Sequence, residues 1–466
     1  MKYWSTRGNA PVCDFETALL AGLAPDGGLY VPTQWPQFSP QDLSSLAGRP
    51  YSEVAARVLS KFAGDAFSED LLRELAAKVY DRFDHNDTAP LVDLGDDQYI
   101  LELFHGPTLA FKDFAMQILG ALFDHALEKR GQRLTVLAAT SGDTGAAAIE
   151  ALAPCEHVEI VVLHPENRVT DVQRRMMTCV DKANVLNIAV QGSFDDCQAI
   201  VKDLFADQPF RQAQNLSGVN SINWGRLAAQ TVYYFTALHA LGGNRSASFS
   251  VPTGNFGDVF AGYAAKRMGA KINKLIVATN ANDILHRAIA SGDYSSRGVM
   301  KTTAPSMDIQ IASNFERILF DAVNNDPERI RSMMAGFKAD GQLQLSSDII
   351  DFIKTDFLSC AVDDEMTLQE IARHFEKYGS LIDPHTSIGR VAAQRMISSG
   401  EVEGPMITLS TAHPAKFPDA VKTATGQTPA LTPRHADLFE RTEHMVVGPA
   451  DTNRIKSMIS EWSSAR

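Results

Sequence analysis

One lysine, set between an aromatic ring and a carboxylate in His105-Gly106-Pro107-Thr108-Leu109-Ala110-Phe111-Lys112-Asp113, is suited to covalent chemistry. A strongly apolar helix is expected just after it, so Lys112 can be partly desolvated. Burial lowers an amine's pKa and leaves a usable nucleophile. The competing reading is a surface turn in which Lys112 pairs with Asp113. Two further segments bear on the choice: Ala139-Thr140-Ser141-Gly142-Asp143-Thr144-Gly145 and Val251-Pro252-Thr253-Gly254-Asn255-Phe256-Gly257-Asp258. Each follows an apolar strand and precedes a helix. Glycine permits tight turns and close approach, so N–H groups of loop and helix terminus can converge on an anion. Two such loops in one chain imply a doubly anionic ligand set.

Other chemistries are disfavoured by what the loops lack. Neither is GxGxxG with a strand-end carboxylate about twenty residues on, the mark of a dinucleotide site. GxxxxGK[ST] is absent as well. The five cysteines are scattered and form no CxxC pair, against a disulfide framework or a cysteine-rich zinc site. The twelve histidines show no HExxH spacing, and no metal is expected. A net charge of −13 and a pI near 5.4 disfavour extended contact with nucleic acid. A small phosphorylated ligand is still possible, because a few backbone N–H groups and one or two cations make a local site in an acidic protein.

The elements that must position these residues follow from periodicity. A chain of 466 residues, 45% hydrophobic, exceeds an ordinary single domain and is expected to form at least two lobes. Residues 1–95 read as a mostly helical N-terminal region, with YSEVAARVLSKFAG and SEDLLRELAAKVYDRF at helical spacing and Ser68 as a helix start. From about residue 99, YILELF, LTVLAA, VEIVVL, VLNIAV, ASFSVP, KLIVAT and PMITLST read as strands alternating with helices. That alternation is the pattern of parallel sheets covered on both faces. The fold class is therefore α/β: two open lobes over 96–425, with a helical and irregular insertion near 280–380. A C-terminal extension occupies 426–466, with a short helix from Asn453 to Trp462. The N-terminus breaks its apolar residues with Arg7, Asp14 and Glu16, so neither a signal peptide nor a membrane span is expected, and cytoplasmic residence is the default.

HGPTLAFKDF, TSGDTGAA, PTGNFGD, SINWGR, LIDPHTSIG and STAHPAKFP together resemble the threonine synthase family of the bacterial and fungal type. The similarity runs from KYWSTRG to the region around Pro418. The resemblance implies a pyridoxal phosphate (PLP) enzyme of fold type II, the tryptophan synthase β-subunit fold. Its reaction is conversion of O-phospho-L-homoserine and water to L-threonine and phosphate, a carbon–oxygen lyase chemistry at the last step of threonine biosynthesis. Lys112 is then the Schiff-base lysine. Gly254, Asn255, Phe256 and Gly257 surround the cofactor phosphate, and Thr411 faces the pyridine nitrogen. Thr140, Ser141, Gly142, Asp143 and Thr144 lie near the substrate carboxylate. There Asp143 must be hydrogen-bonded, offset or paired with a cation to avoid repulsion. Asn220, Ser221, Arg226 and Lys416 are candidates for the substrate phosphate. Without the resemblance, Arg226 reads as a surface salt bridge and Asn220 as a helix cap. Rivals are threonine dehydratase, cysteine synthase and an inactive phosphorylated-ligand-binding protein; monomer and homodimer both remain open.

Overall fold

Runs such as LTVLAA and VEIVVL have no polar face, and they become interior strands of a parallel sheet. In the computed structural model, which describes residues 1–243 and 245–464, Leu134–Ala139 lies between Val158–Pro165 and the short Leu216–Ser217. Val185–Gln191 and Val446–Pro449 complete this five-stranded, all-parallel sheet. The second sheet has six strands, in the spatial order Phe357–Ala361, Ile272–Thr279, Ala247–Pro252, Met406–Ser410, Gln98–Glu102 and Leu91–Asp93. Only the last is antiparallel to its neighbour. The chain thus starts one sheet, leaves to build four strands of the other between residues 134 and 217, returns, and adds the fifth strand of that other sheet near its end, which makes two lobes.

The N-terminal helices Tyr51–Ala63 and Glu69–Tyr80 form where the apolar spacing predicts, with the Ser68 side chain accepting from Leu71 N. This region also holds a small antiparallel pair, Tyr3–Ser5 with Tyr30–Pro32. It shares its core with the helix Trp224–Ala240: the Trp224 ring lies 5.8 Å from Tyr3 and 5.7 Å from Phe62. The stretch 280–380 is mostly helical, yet it also supplies the strand Phe357–Ala361, which pairs parallel with Ile272–Thr279 at the sheet edge. Five residues directly after a helix ending at Asp356 are too few for a strand period to stand out. The segment 426–466 adds Val446–Pro449 to the five-stranded sheet and buries Ile455 and Ile459 of the helix Thr452–Ser464 against Ile200 and Leu204. Among the described residues, no helix is long and apolar enough to cross a membrane.

Candidate active site

Lys112 is the first residue of the helix Lys112–Arg130, whose Phe114, Ala115, Ile118 and Leu122 are buried. The turn leading into it is pinned to the end of Met406–Ser410. Phe111 N donates to Thr411 O at 2.9 Å, His413 N donates to Leu109 O at 3.0 Å, and Ala110 bridges Ala412. Leu109 takes a left-handed φ of 59° to make the turn. Asp113 does not pair with Lys112, contrary to the surface-turn reading, because successive helical residues do not face one another. Its carboxylate instead accepts from Thr108 N at 2.8 Å and Thr108 Oγ1 at 2.7 Å, stapling the turn. Burial pushes the Asp113 carboxyl up to about 6 against the pull of these bonds.

The partner that Lys112 does find is Asp143, at the start of the helix Asp143–Leu152 in the five-stranded lobe. Lys112 Nζ lies 3.3 Å from Asp143 Oδ2, and the Lys416 ammonium lies 2.8 Å from Oδ1. Gln173 Nε2 donates to Oδ1 at 2.8 Å, and Ser306 Oγ to Oδ2 at 3.2 Å. Asp143 therefore carries the cation pairing that its position demanded. Burial alone would raise its pKa, but Lys416 and Lys112 outweigh that and hold the carboxylate well below its usual range. For Lys112 the balance runs the other way: burial lowers its pKa, Asp143 raises it, and Lys416 and Arg226 lower it again, leaving a net depression. Lys416 is fully buried and also donates to Thr108 O at 2.6 Å.

Arg226 sits in the first turn of Trp224–Ala240 and is 3% exposed, so it is not a surface salt bridge. Its Nη1 donates to Val219 O at 3.1 Å, while its buried Nε finds no hydrogen-bond partner among the described residues. Burial pushes this guanidinium down to about 10. The cap of that helix is Asn223, whose side chain accepts from Gly225 N, rather than Asn220. Asn220 is exposed and its carbonyl accepts from Asn223 N, while the carbonyl of half-buried Ser221 accepts from Asn314 Nδ2.

The two glycine loops have the expected strand-to-helix placement. Thr140 Oγ1 accepts from Gly142 N at 3.0 Å and from Gly145 N at 2.9 Å, which shapes the first loop. Gly142 has φ 139°, and a Cβ there would lie 2.7 Å from Gln173 Cδ. Ser141 is exposed and Thr144 half-buried. In the second loop, Phe256 is left-handed at φ 62°, at a cost of about 1–2 kcal/mol. Its buried ring, 5.2 Å from Phe315 and 5.3 Å from Phe357, offsets that cost. The helix Gly257–Arg267 then starts with its first N–H groups free of intrahelical partners. Asn255 O accepts from Asn314 N, and a Cβ on Gly254 would lie 3.2 Å from Ser306 O. Thr411, 5% exposed, follows Ser410, whose Oγ lies 2.9 Å from Thr386 Oγ1.

Lys112, Asp143, Lys416 and the two loops are thus gathered where the lobes meet, and Arg226 is near enough to act on Lys112 electrostatically. Sequence reasoning missed Gln173 and Ser306, and it quoted His385, whose Nε2 accepts from Ser306 N at 3.3 Å, only within the segment LIDPHTSIG. Asp383 had a signal: it precedes Pro384 as the N-cap of Pro384–Ser398, with proline at the first helical position.

Known proteins carry the same framework. The pyridoxal-phosphate-dependent enzyme family matches residues 89–337, flanked by matches to the threonine synthase N terminus over 2–80 and the threonine synthase C-terminal family over 386–459. The threonine synthase of Pseudomonas aeruginosa is 49% identical over 463 residues, covering 99% of this chain and 98% of that protein. The crystal structure of PLP-bound threonine synthase from Brucella melitensis superposes with a TM-score of 0.96 at 47% identity, covering 99% of each chain. Threonine synthase from yeast gives a TM-score of 0.95 at 36% identity, covering 100% of this chain and 99% of that one. The protein is a fold-type-II, pyridoxal-phosphate-dependent α/β enzyme with the tryptophan synthase β-subunit architecture. Within that class, the chain belongs to the threonine synthase family.

The residues present fit the cofactor. A buried amine of depressed pKa meets its aldehyde requirement. Lys112 and Lys416 flank the Asp143 carboxylate, while Arg226, near enough to act on Lys112, keeps an orphaned Nε that calls for an anionic acceptor. Gly254 keeps its loop bare beside the Ser306 turn.

Proposed function

We propose that this chain converts O-phospho-L-homoserine and water to L-threonine and inorganic phosphate, with Lys112 as the amine that holds pyridoxal phosphate. The observation that carries the reading is the depressed-pKa Lys112 set among Asp143, Lys416 and Arg226 where the two lobes meet. When bound, the cofactor supplies an aldehyde for an amine and a ring that withdraws electrons from the carbon being deprotonated. The free N–H groups around Gly254, Asn255, Phe256 and Gly257 suit its phosphate. The Thr411 hydroxyl suits a ring nitrogen that need not be protonated.

The remaining groups divide the substrate between them. Main-chain and hydroxyl donors of Thr140, Ser141, Gly142 and Thr144 receive its carboxylate, and Asp143 keeps its own charge away by engaging both lysines. Arg226 and Lys416, with Asn220 and Ser221, receive the phosphate and stabilise its growing charge as the γ C–O bond breaks. Lys112 Nζ, free as an amine once substrate has taken its place, accepts the α proton and returns protons to neighbouring carbons within reach. Burial favours this because it keeps a larger fraction of the amine unprotonated near neutral pH. Water adds at the β carbon, so the phosphate lost equals the hydroxyl gained in a balanced replacement.

The test supplies PLP to the full chain and measures threonine and phosphate from O-phospho-L-homoserine, with threonine and O-acetylserine as parallel substrates. Equimolar threonine and phosphate are expected, and Lys112→Ala abolishes both. Turnover of threonine or O-acetylserine in their place, or near-normal turnover by Lys112→Ala, overturns the reading.

A further inference from the structure

The segment LIDPHTSIG, at the start of the helix Pro384–Ser398, does work that the proposed mechanism leaves unassigned. Asp383 is fully buried and accepts from His385 N at 2.9 Å, His385 Nδ1 at 2.8 Å, Thr386 N at 3.3 Å and the Thr386 hydroxyl. With Nδ1 donating to Asp383, the other ring nitrogen of His385 is left as an acceptor. It takes the backbone N–H of Ser306 at 3.3 Å. The His385 ring, 3% exposed, is clamped from its other side by Phe417, 4.8 Å away. The turn bearing Ser306 is held at its flanks too: Asp308 accepts from Thr302 N and Thr302 Oγ1, and Asp364 accepts from Thr303.

So anchored, Ser306 reaches two places at once. Its carbonyl oxygen lies 3.2 Å from where a Gly254 side chain would begin, and its Oγ donates to Asp143 Oδ2 at 3.2 Å. Oδ2 is also the oxygen that Lys112 Nζ approaches at 3.3 Å, whereas Lys416 and Gln173 take Oδ1. The serine hydroxyl and the lysine therefore share one carboxylate oxygen.

We infer that Ser306, fixed by the His385–Asp383 pair, is a positioning residue that competes with Lys112 for Asp143 Oδ2 and so limits how tightly the carboxylate holds the lysine. The inference rests on Lys112 being the reactive amine. A donor taken from Oδ2 leaves that oxygen more basic and its grip on the ammonium stronger, which raises the lysine's pKa. The charged groups acting on Lys112 are Asp143, Lys416, Arg226 and Asp258, and a Ser306 substitution changes none of their charges.

The test titrates Lys112 in the full chain before cofactor is added, by its rate of modification with an amine-reactive acylating reagent across pH, read by peptide mass spectrometry. Borohydride trapping of PLP on Lys112 is measured in parallel. Ser306→Ala is expected to move the midpoint for Lys112 up by about half to one pH unit and to slow PLP capture near neutral pH several-fold. Ser306→Thr, which keeps the hydroxyl, restores both. His385→Phe, which keeps a ring against Phe417 but loses the acceptor, reproduces the alanine shift. An unchanged or lowered midpoint in Ser306→Ala overturns the inference while leaving Lys112 as the reactive amine. Failure of wild-type Lys112 to capture PLP at all sinks the functional reading instead.

Discussion

The Asp143–Lys416 contact permits a quantitative test of how the lobes are held. At 2.8 Å, the attraction is about 6 kcal/mol for an effective dielectric near 20, and the Lys112 contact at 3.3 Å gives about 5 kcal/mol. Desolvation of the buried ions offsets most of both, so net effects must be read from what each substitution strands. Asp143→Asn takes away the carboxylate in contact with the fully buried Lys416 and leaves it the Thr108 carbonyl, with Asp113 acting on it only from farther off. Its expected cost is about 3–5 kcal/mol. Lys416→Met leaves Asp143 with Lys112, Gln173 and Ser306, so its cost is smaller, about 1–3 kcal/mol. The double variant strands no ammonium at position 416 and should beat the sum of the single costs by about 2–3 kcal/mol. Urea unfolding of wild type, both singles and the double, followed by circular dichroism, gives the cycle. Additivity within about 0.5 kcal/mol, or a Lys416→Met cost larger than that of Asp143→Asn, would refute the reasoning.

Arg226→Gln should raise the KM for the phosphorylated substrate about 10–100-fold and weaken inhibition by inorganic phosphate in parallel; undiminished phosphate inhibition counts against Arg226 as a phosphate group. Asp258 accepts from the Tyr233 hydroxyl at 2.5 Å and the Tyr234 hydroxyl at 3.0 Å, yet burial pushes it up to about 6. A carboxyl raised in the folded state binds more protons there than when unfolded, so its contribution to stability falls as pH rises from about 4 to 6, by at most about 3 kcal/mol. Between about pH 4 and 6, denaturation midpoints should therefore fall less, or rise more, with pH in Asp258→Asn than in wild type, and equal slopes would contradict the assignment. Gly142→Ala places a Cβ 2.7 Å from Gln173 Cδ at a left-handed position, and the urea midpoint should drop by the equivalent of about 1–3 kcal/mol. Adding Gln173→Ala should recover part of the loss.

The sheets were legible because LTVLAA, VEIVVL and KLIVAT are apolar on both faces, and only strands buried on both sides tolerate that. Lys112 stood out by its place before a strongly apolar helix and beside the two glycine loops, and its role came from the family resemblance. Its partner was not legible from neighbours in sequence. Asp113 is adjacent but faces Thr108, whereas Asp143 lies thirty-one positions away on another lobe. Ser306 was invisible for the same reason, and His385, though within LIDPHTSIG, gave no sign of its contact with Ser306. Their contacts join 306 to 143 and 385 to 306, separations that no local period encodes. Phe357–Ala361 escaped because short edge strands carry little pattern.

An acidic protein can still gather cations in one buried place, and the arrangement around Asp143 shows how. The chain's −13 charge is an average over a surface exposed to water, where screening makes individual carboxylates weak. Lys112, Lys416 and Arg226 instead act within the buried region between the lobes, where charges are felt more strongly. One carboxylate from the five-stranded lobe neutralises part of that charge through Lys112 and Lys416, and leaves Arg226 Nε unpaired. Under the proposed function, a substrate phosphate arriving there gains a guanidinium that Asp143 does not engage. Which side chains are buried beside Asp143, and not the sign of the whole molecule, sets the charge that a ligand meets between the lobes.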